Sequence, residues 1–295
     1  MASSMKCDRL FSVDGLVAVI TGGGSGLGLM MATALAENGA SIVYIVGRRE
    51  DKLREAAALY PNIIVPLTGD ITSQDSLQAL AEHVRQETGY INLLVANAGI
   101  AGPGLKGLSP RATPTDFVRS AWTTPMAEFD AVYKLYCTAT YYTILAFLEL
   151  LDMGNKRRLP GTPHAQVVAT LSMVAFQRDP RYGFAYLSSK AAVISMMKSF
   201  ATRGVSWGIR FNSIAPGFFP SDMSDSALVP FKVSREKDLS EEGAFARPFL
   251  PAERAGSKED IAGVLLYLAS KAGAYVNGSV MLVDGGKIAT VPATY

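Results

Sequence analysis

LVAVITGGGSGLGLMMATALAENGA, residues 16 to 40, changes character twice. Leu16 to Thr21 is short, apolar and rich in β-branched residues, and it reads as a strand buried on both faces. The residues from Met30 to Ala40 read as helix. Between the two, Gly22, Gly26 and Gly28 stand at the spacing GxxxGxG. Side chains are missing where a backbone must approach a pyrophosphate, and the following helix presents its positive N-terminus to the anion. The spacing differs from G-x-G-x-x-G, because Leu27 and Met31 occupy two of the positions. A glycine-rich turn alone can be merely a tight turn. Lodged between a strand and a helix, it points to a dinucleotide.

Outward from this unit the same alternation repeats. Apolar runs at 41 to 46, 62 to 67, 92 to 97, 165 to 172, 209 to 215 and 279 to 284 are separated by stretches of helical period. With the first run they make seven strands, which predicts an α/β fold with a doubly wound parallel sheet and helices on both faces. Pro66 cannot donate to a sheet ladder and so places the third strand at an edge, as the order 3-2-1-4-5-6 requires. Two stretches rich in Gly, Pro and Thr, 101 to 125 and 152 to 165, read as inserted surface loops. A third irregular stretch, 217 to 256, follows strand six and lies beyond the C-terminal end of the sheet, where ligands bind in open α/β folds. The whole chain, 1 to 295, is expected to form one dinucleotide-binding domain.

Composition removes other classes of function. The chain has 28 basic and 26 acidic residues and no basic block, so it offers no footprint for nucleic acid or anionic lipid. Its longest apolar run, Ala139 to Leu151, contains Glu149 and falls short of the roughly 20 residues a membrane span needs. The N-terminal MASSMKCDRL lacks the apolar core of a signal peptide and the C-terminal ATY is no peroxisomal address, which predicts a cytoplasmic protein. Two cysteines, Cys7 and Cys137, and two histidines, His83 and His164, supply neither a disulfide framework nor a Cys/His metal cluster, and no metal is expected.

The second strand ends in Gly47-Arg48-Arg49, with no acid before Glu50. A carboxylate here would bind the ribose 2′-hydroxyl of NAD, whereas cations accept a 2′-phosphate, so the expected cofactor is NADP(H). The alternative is that both arginines are simply solvated.

Taken together, T-G-x-x-x-G-x-G at Thr21 to Gly28, Asp70-Ile71, N-A-G at Asn97 to Gly99, Y-x-x-x-K at Tyr186 and Lys190, Asn212 with Pro216-Gly217, and Asp284-Gly285-Gly286 resemble a classical short-chain dehydrogenase/reductase over nearly the whole chain. The resemblance implies that Thr21, Gly22, Gly24, Ser25, Gly26, Leu27 and Gly28 form the cofactor turn and that Asp70 and Ile71 meet the adenine. It also implies that Asn97 supports the central strands, that Asn97, Ala98 and Gly99 bind the cofactor, and that Pro216, Gly217, Phe219 and Ser221 lie along the nicotinamide. A homodimer or homotetramer is implied, built from helices around 125 to 151 and 184 to 206.

Tyr267 and Lys271 repeat the Y-x-x-x-K spacing, but they lead into strand seven at the edge opposite the crevice and are assigned to packing. At Tyr186 and Lys190 the i, i+4 spacing puts phenol and ammonium on one helical face. A nearby cation lowers a phenol from its ordinary value of about 10 toward working pH, which suits Tyr186 to acid/base duty on a carbonyl or alcohol. In the family the lysine also holds the nicotinamide ribose, and a serine 13 residues before the tyrosine polarises the carbonyl. That position here is Met173, so Ser172 is preferred, with a strand-end serine bonded to its own backbone as the alternative. Tyr136 stands where the family carries an asparagine that anchors a relay water; a phenol there either disturbs that relay or turns outward as filler.

The expected reaction is NADP(H)-dependent hydride transfer to or from a small molecule. Phe218, Phe219, Met223, Phe231, Phe245 and Phe249 suggest a bulky apolar substrate, like those of natural-product reductases, including fungal ones, although such a series also serves as packing. A scaffold turned to a redox-neutral cyclisation, isomerisation or dehydration, or a non-catalytic dinucleotide sensor, are the alternatives.

Overall fold

The computed structural model describes residues 5–105, 109, 111–221 and 228–294. Seven strands form one parallel sheet: β1 (Val17–Thr21), β2 (Ile42–Gly47), β3 (Ile64–Thr68), β4 (Leu93–Ala96), β5 (Gln166–Thr170), β6 (Arg210–Pro216) and β7 (Val280–Val283). Their order is β3-β2-β1-β4-β5-β6-β7, so the chain reverses direction across the sheet between β1 and β4. Pro66 pairs with Ile45 on the edge strand β3, where its missing N–H costs no ladder bond to a further strand.

The helices that cover the sheet are α2 (Gly26–Glu37), α3 (Glu50–Ala57), α4 (Gln74–Glu87), α7 (Thr140–Lys156), α8 (Phe184–Arg203) and α9 (Lys258–Ala269); α1 (Cys7–Leu10), α5 (Pro114–Ala121) and α6 (Met126–Tyr133) are shorter. Alternate residues of each strand supply two cores. Val17 and Val19 meet Leu80, Phe147 and Met197 of α4, α7 and α8 on one side. Ala18 and Ile20 meet Leu35, Leu53 and Leu265 of α2, α3 and α9 on the other. β1, β4, β5 and β6 are buried throughout, the pattern of a sheet covered on both faces.

Two of the expected loops contain helix. Within 101 to 125, Thr113 accepts a hydrogen bond from the Asp116 N–H and Asp116 answers at the Thr113 N–H, a capping box with Pro114 in the first turn that starts α5. The Thr-Pro pair that suggested a loop is therefore a helix start. Within 152 to 165, α7 continues to Lys156. Gly154 permits this, since a Cβ there would lie 2.1 Å from the Ile91 carbonyl oxygen.

The stretch after β6 is largely irregular and carries a small core of its own. Leu228, Ala244, Phe245, Leu250 and Ala255 are buried together, with Phe218 and Phe249 against them. Phe231 and Phe218 stack on Phe249 at 4.6 and 5.8 Å between ring centroids. Most of the phenylalanine series thus packs on itself, while Phe219 joins the core beneath the sheet and Met223 lies outside the described residues. Among the described residues no helix is long and apolar enough to cross a membrane.

Candidate active site

The strands point their C-terminal ends at a cleft of about 530 Å³ that opens where the chain direction reverses, as expected for ligand sites in such sheets. Gly22, Gly24, Ser25, Gly26, Leu27, Arg48, Arg49, Asp70, Ile71, Asn97, Ala98, Gly99, Tyr186, Lys190 and Ser221 all line it, as the sequence anticipates.

The turn after β1 is shaped by close approach. Gly22 has φ +68°, and a Cβ on Gly28 would stand 2.1 Å from the Gly22 carbonyl oxygen, so the start of α2 lies directly on the turn. Asn97 ties β4 to the same place, its Nδ2 donating to the Thr21 carbonyl at 3.0 Å and its N–H to Thr21 Oγ1 at 2.9 Å. Thr21 and Gly28 thus lie behind the cleft wall and hold it.

The N-terminus of α2 fits an anion. Ser25 sits at the N-cap position without capping the helix, and no acidic side chain occupies the first turn. The Ser25 hydroxyl instead accepts from Arg49 Nη2 at 3.0 Å. The first-turn N–H groups consequently have no side-chain cap, the condition under which a helix end receives a phosphate. Among the described residues, four basic side chains, Arg48, Arg49, Lys52 and Lys134, line this part of the cleft, with Lys190 at its other end, against one acid, Asp70. The Asp70 carboxylate accepts from the Thr72 N–H and hydroxyl at 2.9 and 2.8 Å, and these bonds, aided by the nearby Arg48 and Lys134 charges, hold it below the usual carboxylate range.

At the other end stand the polar groups suited to chemistry. α8 carries Tyr186 and Lys190 one turn apart, both lining the cleft. Lys190 Nζ donates to the Thr170 carbonyl at 2.8 Å and lies 5.9 Å from the centre of the Tyr186 ring. The side chains of Ser172 and Tyr136 lie beside the Tyr186 hydroxyl and favour its ionised form. Ser172, extended at the end of β5, faces Tyr186, while Met173 is buried. The Ser172 hydroxyl also accepts from the Val174 N–H at 3.3 Å, the backbone bond that the sequence left as the alternative.

Burial acts on this pair against the simple expectation from charge. Desolvation pushes the Tyr186 phenol up, outweighing the opposite influence of the Ser172 and Tyr136 side chains beside it. It also pulls the Lys190 ammonium down, to about 7. Tyr186 thus holds its proton at neutral pH and is ready to donate it.

Tyr136 neither points outward nor occupies space passively. The helix running from α6 into α7 passes through a π turn, Lys134–Ala139, whose altered winding re-aims the side chains. Tyr136 is buried, its hydroxyl donating to the Ile100 carbonyl at 2.5 Å and accepting from the Ile100 N–H at 2.9 Å. The Lys190 ammonium sits 3.9 Å from the centre of the Tyr136 ring.

Pro216, Gly217 and Phe219 do not line the cleft; Phe219 is buried against Gly256 and the core, and a Cβ on Gly217 would stand 2.6 Å from Asp284 Cα. Lys52, Lys134, Leu135, Ile100 and Thr170 line it without having been singled out in sequence. Lys52 lies in the first turn of α3, four residues after Arg48, and its charge near that arginine was the signal available in sequence. Tyr267 packs on the core from α9, which ends at Ala269, so Lys271 falls in a separate turn and the two share no helical face.

Residues 16–228 match the family described as short chain dehydrogenase. The chain belongs to that family. This short-chain dehydrogenase is 45% identical to the short-chain dehydrogenase/reductase PhomF of Diaporthe leptostromiformis, over 99% of this chain and 98% of the relative. It is 42% identical to the short-chain dehydrogenase/reductase VdtF of Byssochlamys spectabilis, over 99% of each. The NADP active-site complex of Pseudomonas aeruginosa RhlG superposes on it with a TM-score of 0.75 at 27% identity, covering 95% of this chain and 99% of that one.

Proposed function

We propose that this short-chain dehydrogenase is an NADP(H)-dependent carbonyl reductase or alcohol dehydrogenase acting on a bulky, largely apolar small molecule. The observation that carries it is that Tyr186 and Lys190 line one end of a cleft, with Ser172 beside Tyr186, while the other end is basic and holds a helix terminus without a side-chain cap. When bound, NADPH supplies the hydride for the carbonyl carbon.

The residues of the chain do the rest. Gly22, Gly24, Ser25, Gly26 and Leu27 would receive the pyrophosphate, and Arg48, with Lys52 beside it, the 2′-phosphate. Asp70, Ile71 and Asn97 to Gly99 would flank the adenosine half, and Ser221 the nicotinamide end, where Pro216, Gly217 and Phe219 support the wall from behind. Ser172 polarises the carbonyl oxygen and Tyr186 donates its proton to that oxygen, or accepts one in the oxidative direction. Lys190 supplies positive charge beside the phenolate left behind. The apolar wall available to a substrate comprises Ile100, Ala131 and Leu135. The similarity to PhomF and VdtF supports a place in natural-product chemistry. We further propose that the whole chain acts as one cytoplasmic domain unit in a homodimer or homotetramer.

The test is Tyr186→Phe. Carbonyl reduction is expected to fall by about two orders of magnitude or more while NADPH affinity stays within a fewfold. An unchanged turnover rate would sink Tyr186 as the acid.

A further inference from the structure

The cleft contains a second phenol beside Tyr186, and its hydroxyl is anchored to the backbone. The Tyr136 hydroxyl has one proton and two lone pairs. The proton goes to the Ile100 carbonyl at 2.5 Å and one lone pair takes the Ile100 N–H at 2.9 Å, which leaves the second lone pair on the side where the Tyr186 side chain packs. The backbone is fitted to this phenol, since a Cβ on Gly99 would stand 2.8 Å from the Tyr136 oxygen. The ring lies edge-on to Tyr186 with centroids 5.4 Å apart, and its other face holds the Lys190 ammonium.

We propose that Tyr136 is a positioning residue of the proton-transfer step: its anchored hydroxyl hydrogen-bonds Tyr186 and stabilises the Tyr186 phenolate. This rests on Tyr186 being the acid. In the forward direction the Tyr186 O–H bond breaks, its proton passes to the carbonyl oxygen, and the carbon receives hydride from the reduced nicotinamide. The phenolate left behind needs a donor. The Tyr136 O–H swings from the Ile100 carbonyl to the Tyr186 oxygen and keeps its own proton, which burial holds more firmly than an ordinary phenol does. In the same place its ring covers Lys190, whose ammonium otherwise has the Thr170 carbonyl. The groups facing the Tyr186 hydroxyl are Ser172 from the end of β5 and Tyr136 from the π turn. Lys190 lies on its own helix, and Cys137 interacts electrostatically with Lys190.

Tyr136→Phe keeps the ring and removes only the hydroxyl. The probe is full-length protein carrying tyrosine enriched in heavy carbon at Cζ, saturated with NADP+, with the Tyr186 resonance identified by its loss in Tyr186→Phe. A pH titration by NMR is expected to show Tyr186 ionising roughly ten- to a hundredfold less readily in Tyr136→Phe than in wild type, the effect of one hydrogen bond to a charged group. NADPH affinity, measured alongside, should stay within a fewfold, while the melting temperature falls by a few degrees because the Ile100 N–H and carbonyl lose their partner. Equal ionisation in the two proteins, including no ionisation in either, overturns the role of Tyr136 and leaves the proposed reaction standing. Wild-type turnover by Tyr186→Phe overturns the acid itself, and this role with it.

Discussion

Lys190 is buried, and its charge has a measurable consequence for stability. Burial brings the folded-state value down to about 7, whereas the unfolded chain keeps the proton up to the ordinary lysine range. Between these values the unfolded state binds more protons, so the contribution of Lys190 to stability rises with pH across that window. Below about 7 both states are charged and the full cost of desolvating the ammonium applies. Lys190→Met should therefore gain most in melting temperature over wild type near about pH 6 and least near about pH 9; a pH-independent difference would contradict the buried ammonium. Arg48 answers a different question. Arg48→Ser should weaken NADPH roughly tenfold or more and leave NADH nearly unchanged in a binding titration, because only a phosphate ester needs the cation. At this scale Tyr186, Lys190 and the glycine turn were legible, since each depends on spacing within one element. The contacts of Tyr136 were not, because a π turn breaks the helical register from which the side chain's direction is inferred.

Among the elements, β6 and α9 are joined by a residue that no motif announced. Arg210, buried on β6, donates from Nη1 to the Gly273 and Val276 carbonyls at 3.0 and 3.2 Å. From Nη2 it donates to those of His164 and Leu268 at 3.3 and 3.2 Å. It thereby satisfies carbonyls at the end of α9 and in the loops leading to β5 and β7, while burial pulls it down to about 10. Arg210→Met should lower unfolding free energy by about 2 kcal/mol or more, read by denaturant titration, because those acceptors lose a charged donor in a dry place. A loss within about 0.5 kcal/mol would show that water replaces it. Strand positions were readable because each run is apolar and short, and Pro66 placed β3 at the edge. The helical starts at Thr113 and the extension of α7 to Lys156 were not, since Thr, Pro and Gly serve helix caps and close packing as well as loops.

For the whole molecule, the parallel sheet fixes where chemistry happens. All seven strands deliver their C-terminal ends to one side, and the reversal between β1 and β4 leaves the crevice there. The phenylalanine series after β6 was legible as apolar and misleading as a pocket, since its rings are largely taken up by stacking on one another. A ligand that binds the folded state alone adds stability as the logarithm of its excess over Kd. NADPH at about a hundred times its Kd should raise the melting temperature by several degrees, and more than NADH at the same concentration. The most direct measurement is titration of the purified protein with NADPH and, separately, with NADH, following nicotinamide fluorescence. Saturable NADPH binding at least about tenfold tighter than NADH is the predicted result; binding of neither, or preference for NADH, would contradict an NADP(H)-dependent enzyme.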